Sequence, residues 1–179
     1  LLLPLYVVLL ELLIDPTCPI LLARQPAETD IMERKPRDPK EKLLTAHILA
    51  KSVLQGLVIF AASFGAYYVT LSGNADNASV ARAIGLSIIM ISNLFLVQVN
   101  SSDHDFALQS IIRLAKDKVM WAVNFGTLAM LGIILYSPLN AFLKLAPLSV
   151  PMLLKAVGIA AVAVFWYELV KLVKKLLRR

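Results

Sequence analysis

Five long apolar runs, separated by connections that hold most of the charge, leave this chain few ways to fold. A helix needs roughly 20 predominantly apolar residues to cross about 30 Å of hydrocarbon. Segments 1–23, 52–71, 83–99, 119–139 and 152–172 meet or approach that requirement. The first is apolar except for Glu11 and Asp15. The next three are uncharged, and the last carries Lys155 and Glu168 towards its ends. Long charged side chains at such positions reach the headgroups. The sequence is 59% hydrophobic, so a soluble fold would be left with too little polar surface to cover its helices. The predicted fold is an all-α membrane protein, a single domain (1–179) built as a bundle of five transmembrane helices.

Basic residues set the orientation. Arg24, Arg34, Lys35, Arg37, Lys40, Lys42 and Lys51 crowd the first connection, whereas 72–82 holds only Arg82. Arg113, Lys116 and Lys118 lie in the third, Lys144 alone in the fourth, and Lys171, Lys174, Lys175, Arg178 and Arg179 end the chain. This rich-poor alternation fits the positive-inside rule, with the N-terminus outside and the C-terminus in the cytoplasm. The formal net charge of +6 is then a membrane-surface feature, and no nucleic-acid partner is expected. The expected partner is the lipid bilayer, with the basic tail as an interfacial anchor. The single cysteine, Cys18, excludes a disulfide within the chain. Leu1 opens directly on an apolar run with neither a basic start nor a cleavage site. The chain is therefore expected to be a piece of a longer polypeptide. The connection 24–51 is expected to be cytoplasmic, and its polar stretch 24–42, with Pro26, Pro36 and Pro39, to be an extended loop.

The chemically informative stretch is Glu11 to Pro19. Glu11 and Asp15 are four apart, on one helix face and about 6 Å apart in rise. An ionised carboxylate at membrane depth costs at least about 2.5–3.5 kcal/mol, and two on one face also repel each other. A cavity holding a cation or a proton resolves both problems. Pro16 and Pro19 lack an N–H and so release the carbonyls of Leu12 and Asp15. The first helix is accordingly predicted to be broken near mid-membrane, with the carbonyl of Leu12 beside the carboxylates and Thr17 nearby. Carboxylates with free carbonyls suit a hard cation, and broken membrane helices commonly build such sites. A proton relay without metal is the other chemistry open to them.

Other polar residues have simpler readings. Asn93, with Ser92 beside it and Gln98 beyond, is a second candidate ligand, although an amide in a membrane helix more often bonds a neighbouring helix. Ser87 and Asn124 are expected to be such glue, and Ala61 with Gly65 to mark close helix packing. Asp103-His104-Asp105 follows Asn100-Ser101-Ser102 at a span end, where loop and capping residues are expected rather than a metal cluster. His47 is read the same way.

Three stretches carry a family resemblance. They are Leu9-Leu10-Glu11-Leu12-Leu13-Ile14-Asp15-Pro16, the connection from Pro26-Ala27-Glu28-Thr29-Asp30 through Met32-Glu33-Arg34-Lys35-Pro36-Arg37-Asp38-Pro39 to Leu43-Leu44, and Leu86-Ser87 through Asn93 to Asn100-Ser101. Ile134-Leu135-Tyr136-Ser137-Pro138-Leu139 adds weaker support. Together they resemble the C-terminal membrane region of P-type cation-pumping ATPases, in the branch that contains the calcium pumps. The resemblance spans essentially the whole chain and implies that its spans are helices six to ten.

It also implies ATP-driven cation export, with ions held between helices four, five, six and sometimes eight. Asp15 then matches the acidic ligand of helix six. Glu11 stands where calcium pumps commonly carry an amide, and Asn93 where some members carry an acid. Calcium is the first choice of ion; manganese, magnesium, sodium and protons are the others. The implied partners are the N-terminal helices and the cytoplasmic phosphorylation domain of the same polypeptide, in the plasma (inner) membrane. ATP and magnesium would act only there, because Asp117-Lys118 is followed by Val119-Met120 and is not the family's Asp-Lys-Thr-Gly motif. The rival expectations are an ATP-independent channel or secondary transporter, and a non-transporting scaffold or regulator.

Overall fold

A computed structural model describes residues 4–23, 46–99 and 118–177, and among these the side chains of all but 13–18, 20–22, 47, 98, 118–120 and 168–177. The described residues are helical with short turns. The elements are α1 (Pro4–Ala23), α2 (Ala46–Leu71), α3 (Ala78–Val99), α4 (Lys118–Tyr136), a one-turn α5 (Leu139–Phe142) and α6 (Val150–Leu177). Among the described residues, three helical segments are long and apolar enough to cross a membrane: Ile48–Leu71, Ala75–Val97 and Val150–Tyr167. The apolar part of α4 that is described, Trp121–Tyr136, is shorter.

The helix α3 is the hub. It packs most extensively on α6 and α2, and it also meets α1 and α4. Ala83, Leu86, Ile88 and Met90 from α3 are buried with Leu131, Ile134 and Leu135 from α4 and with Ala156 and Ala160 from α6. Small residues at helical spacing on α6 let its backbone approach α3 closely, which is how membrane helices gain dispersion contacts without a hydrophobic drive. The opposite faces stay uncovered. Val53, Leu57, Phe60, Phe64 and Tyr68 form an exposed apolar stripe along α2, and Trp121, Phe125 and Leu128 do so on α4. In water such stripes would aggregate; in a bilayer they are the surface that lipid or further helices require.

The α2–α3 hairpin is closed by left-handed residues. Ser72 (φ 46°) and Gly73 (φ 73°) end α2, with the Asn74 N–H donating to the Leu71 carbonyl at 2.7 Å. A 3₁₀ turn at Ala75–Asn77 then leads directly into α3. Helix α3 thus starts earlier than its charge-free run suggests, because Arg82 has a partner: its guanidinium donates to the carbonyl of Lys144 at 3.1 Å.

Close approach of α2 and α3 does occur, but not at Ala61 and Gly65. Ala61 is exposed, and nothing lies within 4 Å of a Cβ built on Gly65. The tight point is Gly85, where an added Cβ would stand 3.3 Å from Ser63 Oγ and 3.7 Å from the Ser63 carbonyl. Ser63 Oγ donates to the Gly85 carbonyl at 3.0 Å across the helix pair. A small-residue pair marks where helices can approach; which face is turned inward is decided by the rest of the packing. Gly85→Leu should therefore destabilise the domain by about 1–3 kcal/mol through overpacking. Gly85→Ala should be near neutral, since about 1 kcal/mol of helix propensity offsets a small shift of Ser63. Thermal unfolding of the detergent-solubilised full-length protein distinguishes the two.

The connection after α4 folds back into the bundle. Leu143, Leu145 and Leu148 are buried there. Tyr136 Oη donates to the Leu148 carbonyl at 2.6 Å, and Asn140 Nδ2 to the Leu135 carbonyl at 3.0 Å. Lys144 takes a left-handed conformation (φ 51°) after α5 and turns the chain inward. From α1, the fully buried Tyr6 donates its hydroxyl to the Leu143 carbonyl. Arg82 also interacts with Tyr6. One tyrosine and one arginine therefore tie the start of α1, the start of α3 and the α4–α6 connection at one end of the bundle.

Candidate functional site

The helix α1 is continuous from Pro4 to Ala23, through both Pro16 and Pro19. The expected break near mid-membrane is not what the backbone shows. Proline's fixed φ is compatible with a helix, and a missing N–H removes a bond without reversing the chain. The bonds from residues 16 and 19 to the carbonyls of Leu12 and Asp15 are still absent for covalent reasons.

One side of α1 faces the bundle and the other does not. Tyr6 is fully buried, and Leu9 and Leu10 pack against the core. Glu11, Leu12 and Val8 lie on the outward side, with Leu12 69% and Val8 61% exposed. Glu11 makes no hydrogen bond or ion pair with any described residue. Asp15 follows one turn later, about 40° further round by helix geometry. Its side chain lies outside those described, as do those of Thr17 and Cys18.

Asn93 and Glu11 share no hydrogen bond. Asn93 is half-buried on α3, and its Nδ2 donates to the Ile89 carbonyl of its own helix at 3.0 Å. Its Oδ1, the atom a cation would use, is not the one in that bond. Ser87 behaves alike: Oγ donates to the Ala83 carbonyl at 2.7 Å. Expected interhelical glue is thus satisfied within one helix, because an i−4 carbonyl is always within reach of a short polar side chain. Ser92 Oγ and Asn124 Oδ1 are buried without a hydrogen-bond partner among the described residues, so neither atom bonds a neighbouring helix there. No group of three or more His, Cys, Asp or Glu residues suited to a metal occurs among the described residues. Asp103, His104 and Asp105, the connection 24–45, and the side chains of His47 and Gln98 lie outside them.

Sequence reasoning missed Tyr6 and Arg82 as organising residues. Their partners are backbone carbonyls of a distant connection, and no spacing in the sequence encodes such contacts. The buried Leu143, Leu145 and Leu148 were the available signal, being apolar residues in a connection between two spans.

Residues 1–173 match the family model described as "Cation transporting ATPase, C-terminus". A calcium-transporting ATPase of Bacillus subtilis (strain 168) is 26% identical over 165 residues, covering 92% of this chain. The chain spans 18% of the length of that relative. With a match over almost its whole length and apolar helices of membrane-crossing size, the chain belongs to the C-terminal membrane region of the P-type cation-transporting ATPases.

Proposed function

We propose that the chain supplies the last five membrane helices of an ATP-driven cation pump, and that α1 provides one wall of its ion site. The observation that carries this reading is the outward position of Glu11 on α1, with no partner among the described residues. Facing lipid, an ionised carboxylate at that depth would cost at least about 2.5–3.5 kcal/mol. Covered by further helices of the same polypeptide, the same face becomes the lining of a cavity. Glu11, Asp15 and the proline-released carbonyl of Leu12 are then the oxygen ligands on this side, and Asn93 Oδ1 is the candidate from α3.

In this reading α1 and α4 are membrane spans as well, the C-terminus is cytoplasmic, and the protein sits in the plasma (inner) membrane. Connection 24–42 faces the phosphorylation domain, which supplies ATP and magnesium chemistry. Calcium is the preferred ion, because carboxylates with carbonyls in a flexible shell suit a large hard cation. The relative from Bacillus subtilis, a calcium-transporting ATPase, supports the choice.

Sealed vesicles containing the full-length protein test this. Addition of ATP should drive accumulation of radioactive calcium against its gradient, and omission of ATP should stop it. Calcium movement that follows its gradient without ATP would instead identify a channel or secondary transporter. No movement under either condition would favour a scaffold.

A further inference from the structure

Among the described side chains of α1, Tyr6 alone is fully buried, and its hydroxyl donates to the Leu143 carbonyl. Leu9 and Leu10 add partly buried apolar contacts, which are non-directional and leave a helix free to roll about its axis. A hydrogen bond is directional, so the Tyr6 hydroxyl holds α1 at one angle to the bundle. Its acceptor is itself held in place. The N–H groups of Leu143, Lys144 and Leu145 donate to the carbonyls of Leu139, Ala141 and Asn140 at 2.9, 3.1 and 2.8 Å. Arg82 of α3 donates to the next carbonyl, that of Lys144, at 3.1 Å and also interacts with Tyr6.

Helix geometry carries that angle to the carboxylate positions. Glu11 follows Tyr6 by five residues, about 140° round the helix and about 7.5 Å along it, and position 15 lies about 180° round. Both positions are on the side of α1 away from the anchor, and Glu11 is exposed there. A roll of α1 therefore turns anchor and acids together. With side chains reaching about 5–6 Å from the axis, a roll of about 20° displaces a group at that radius by about 2 Å. A binding constellation tolerates only about 0.5 Å.

We infer that Tyr6 and Arg82 form a clasp that sets the roll of α1 and so positions Glu11, and position 15 with it, for the cation. Both act as positioning residues, through the helix rather than on the ion. The inference rests on the reading of α1 as one wall of an ion site. Its signature is lost ion affinity with folding and saturated turnover kept. Phenylalanine at position 6 fills the same buried space and lacks only the hydroxyl.

The test measures binding of radioactive calcium without ATP, calcium-dependent ATPase rate and thermal unfolding on full-length proteins. These are wild type, Tyr6→Phe, Arg82→Gln, Arg82→Lys, the Tyr6→Phe/Arg82→Gln double variant and Glu11→Gln/Asp15→Asn. Tyr6→Phe should raise the calcium dissociation constant about tenfold, the factor that one hydrogen bond supplies. Its unfolding temperature should stay near that of wild type, and its rate at saturating calcium within about twofold. Arg82→Gln should behave alike, and Arg82→Lys, which keeps a cationic donor, should recover most of the lost affinity. The double variant should be no weaker than the weaker single variant, because both residues act through one clasp. Wild-type affinity in Tyr6→Phe and Arg82→Gln, beside lost binding in Glu11→Gln/Asp15→Asn, would overturn the clasp and leave the ion site standing. Affinity losses that multiply in the double variant, or that track a fall in unfolding temperature, would make both residues merely structural and overturn it as well. Undiminished binding in Glu11→Gln/Asp15→Asn would refute the ion-site reading, and the clasp with it.

Discussion

Asp15→Asn in the full-length protein should abolish ion-stimulated phosphorylation from ATP. The substitution keeps size and removes one charge, so the helix and its packing are retained while a proposed anionic ligand on α1 is lost. A dication stripped of water depends on such charges, because neutral oxygens cannot offset its desolvation. Removing one member of a buried, charge-matched pair costs about 3–5 kcal/mol, or at least a hundredfold in ion affinity. At ordinary calcium concentrations the site would then be empty, and a pump whose phosphorylation waits for its ion would not react. Calcium titration of phosphoenzyme formation reads this directly. Normal calcium dependence in the variant would remove Asp15 from the site.

Glu11→Gln should have a different signature. Two carboxylates one turn apart cannot both remain ionised and unpaired once the cation leaves, so protons must replace it. In the proposed pump, export of the cation would then be coupled to proton uptake through the same oxygens. Glutamine cannot take up a proton, so the variant should transport calcium with fewer protons returned per cycle and with reduced calcium affinity. A pH indicator trapped in reconstituted vesicles, read alongside calcium flux, gives the ratio. An unchanged proton-to-calcium ratio with unchanged affinity would show that Glu11 plays no part.

The contrast between these two residues shows what was legible in the sequence. The apolar runs announced helices, and the helices α2, α3 and α6 carry the membrane-crossing segments that the described structure contains. The i, i+4 spacing placed two acids on one helix face, since that follows from helix geometry alone. Which way the face points could not be read. It depends on Tyr6, Leu9 and Leu10 being drawn to the core, contacts made with residues more than a hundred positions away in the case of Leu143. The consequence of Pro16 and Pro19 was overread for the same reason. A missing hydrogen bond is a local fact, whereas a broken helix is an outcome of packing, and α1 runs straight through.

The α4–α6 connection makes the point from the other side. The sequence marks it only as a short, charge-poor link between two spans, yet three leucines bury themselves and two tyrosines bond its backbone. Irregular backbone must find partners when it is packed into a bundle, and here side chains of α1, α3 and α4 provide them. Asn93 and Ser87 were candidates for bonding other helices because they are polar in apolar runs. They satisfy themselves on their own helix instead, an option that a sequence pattern does not distinguish.

Equilibrium binding of radioactive calcium to the purified full-length protein, in the absence of ATP, addresses the site itself rather than its consequences. Wild-type protein should bind calcium saturably, and the Glu11→Gln/Asp15→Asn double variant, folded by thermal unfolding, should show no saturable binding. Equal affinity and stoichiometry in the two proteins would mean that α1 contributes no ligand, and the account of this helix as the wall of an ion site would be wrong.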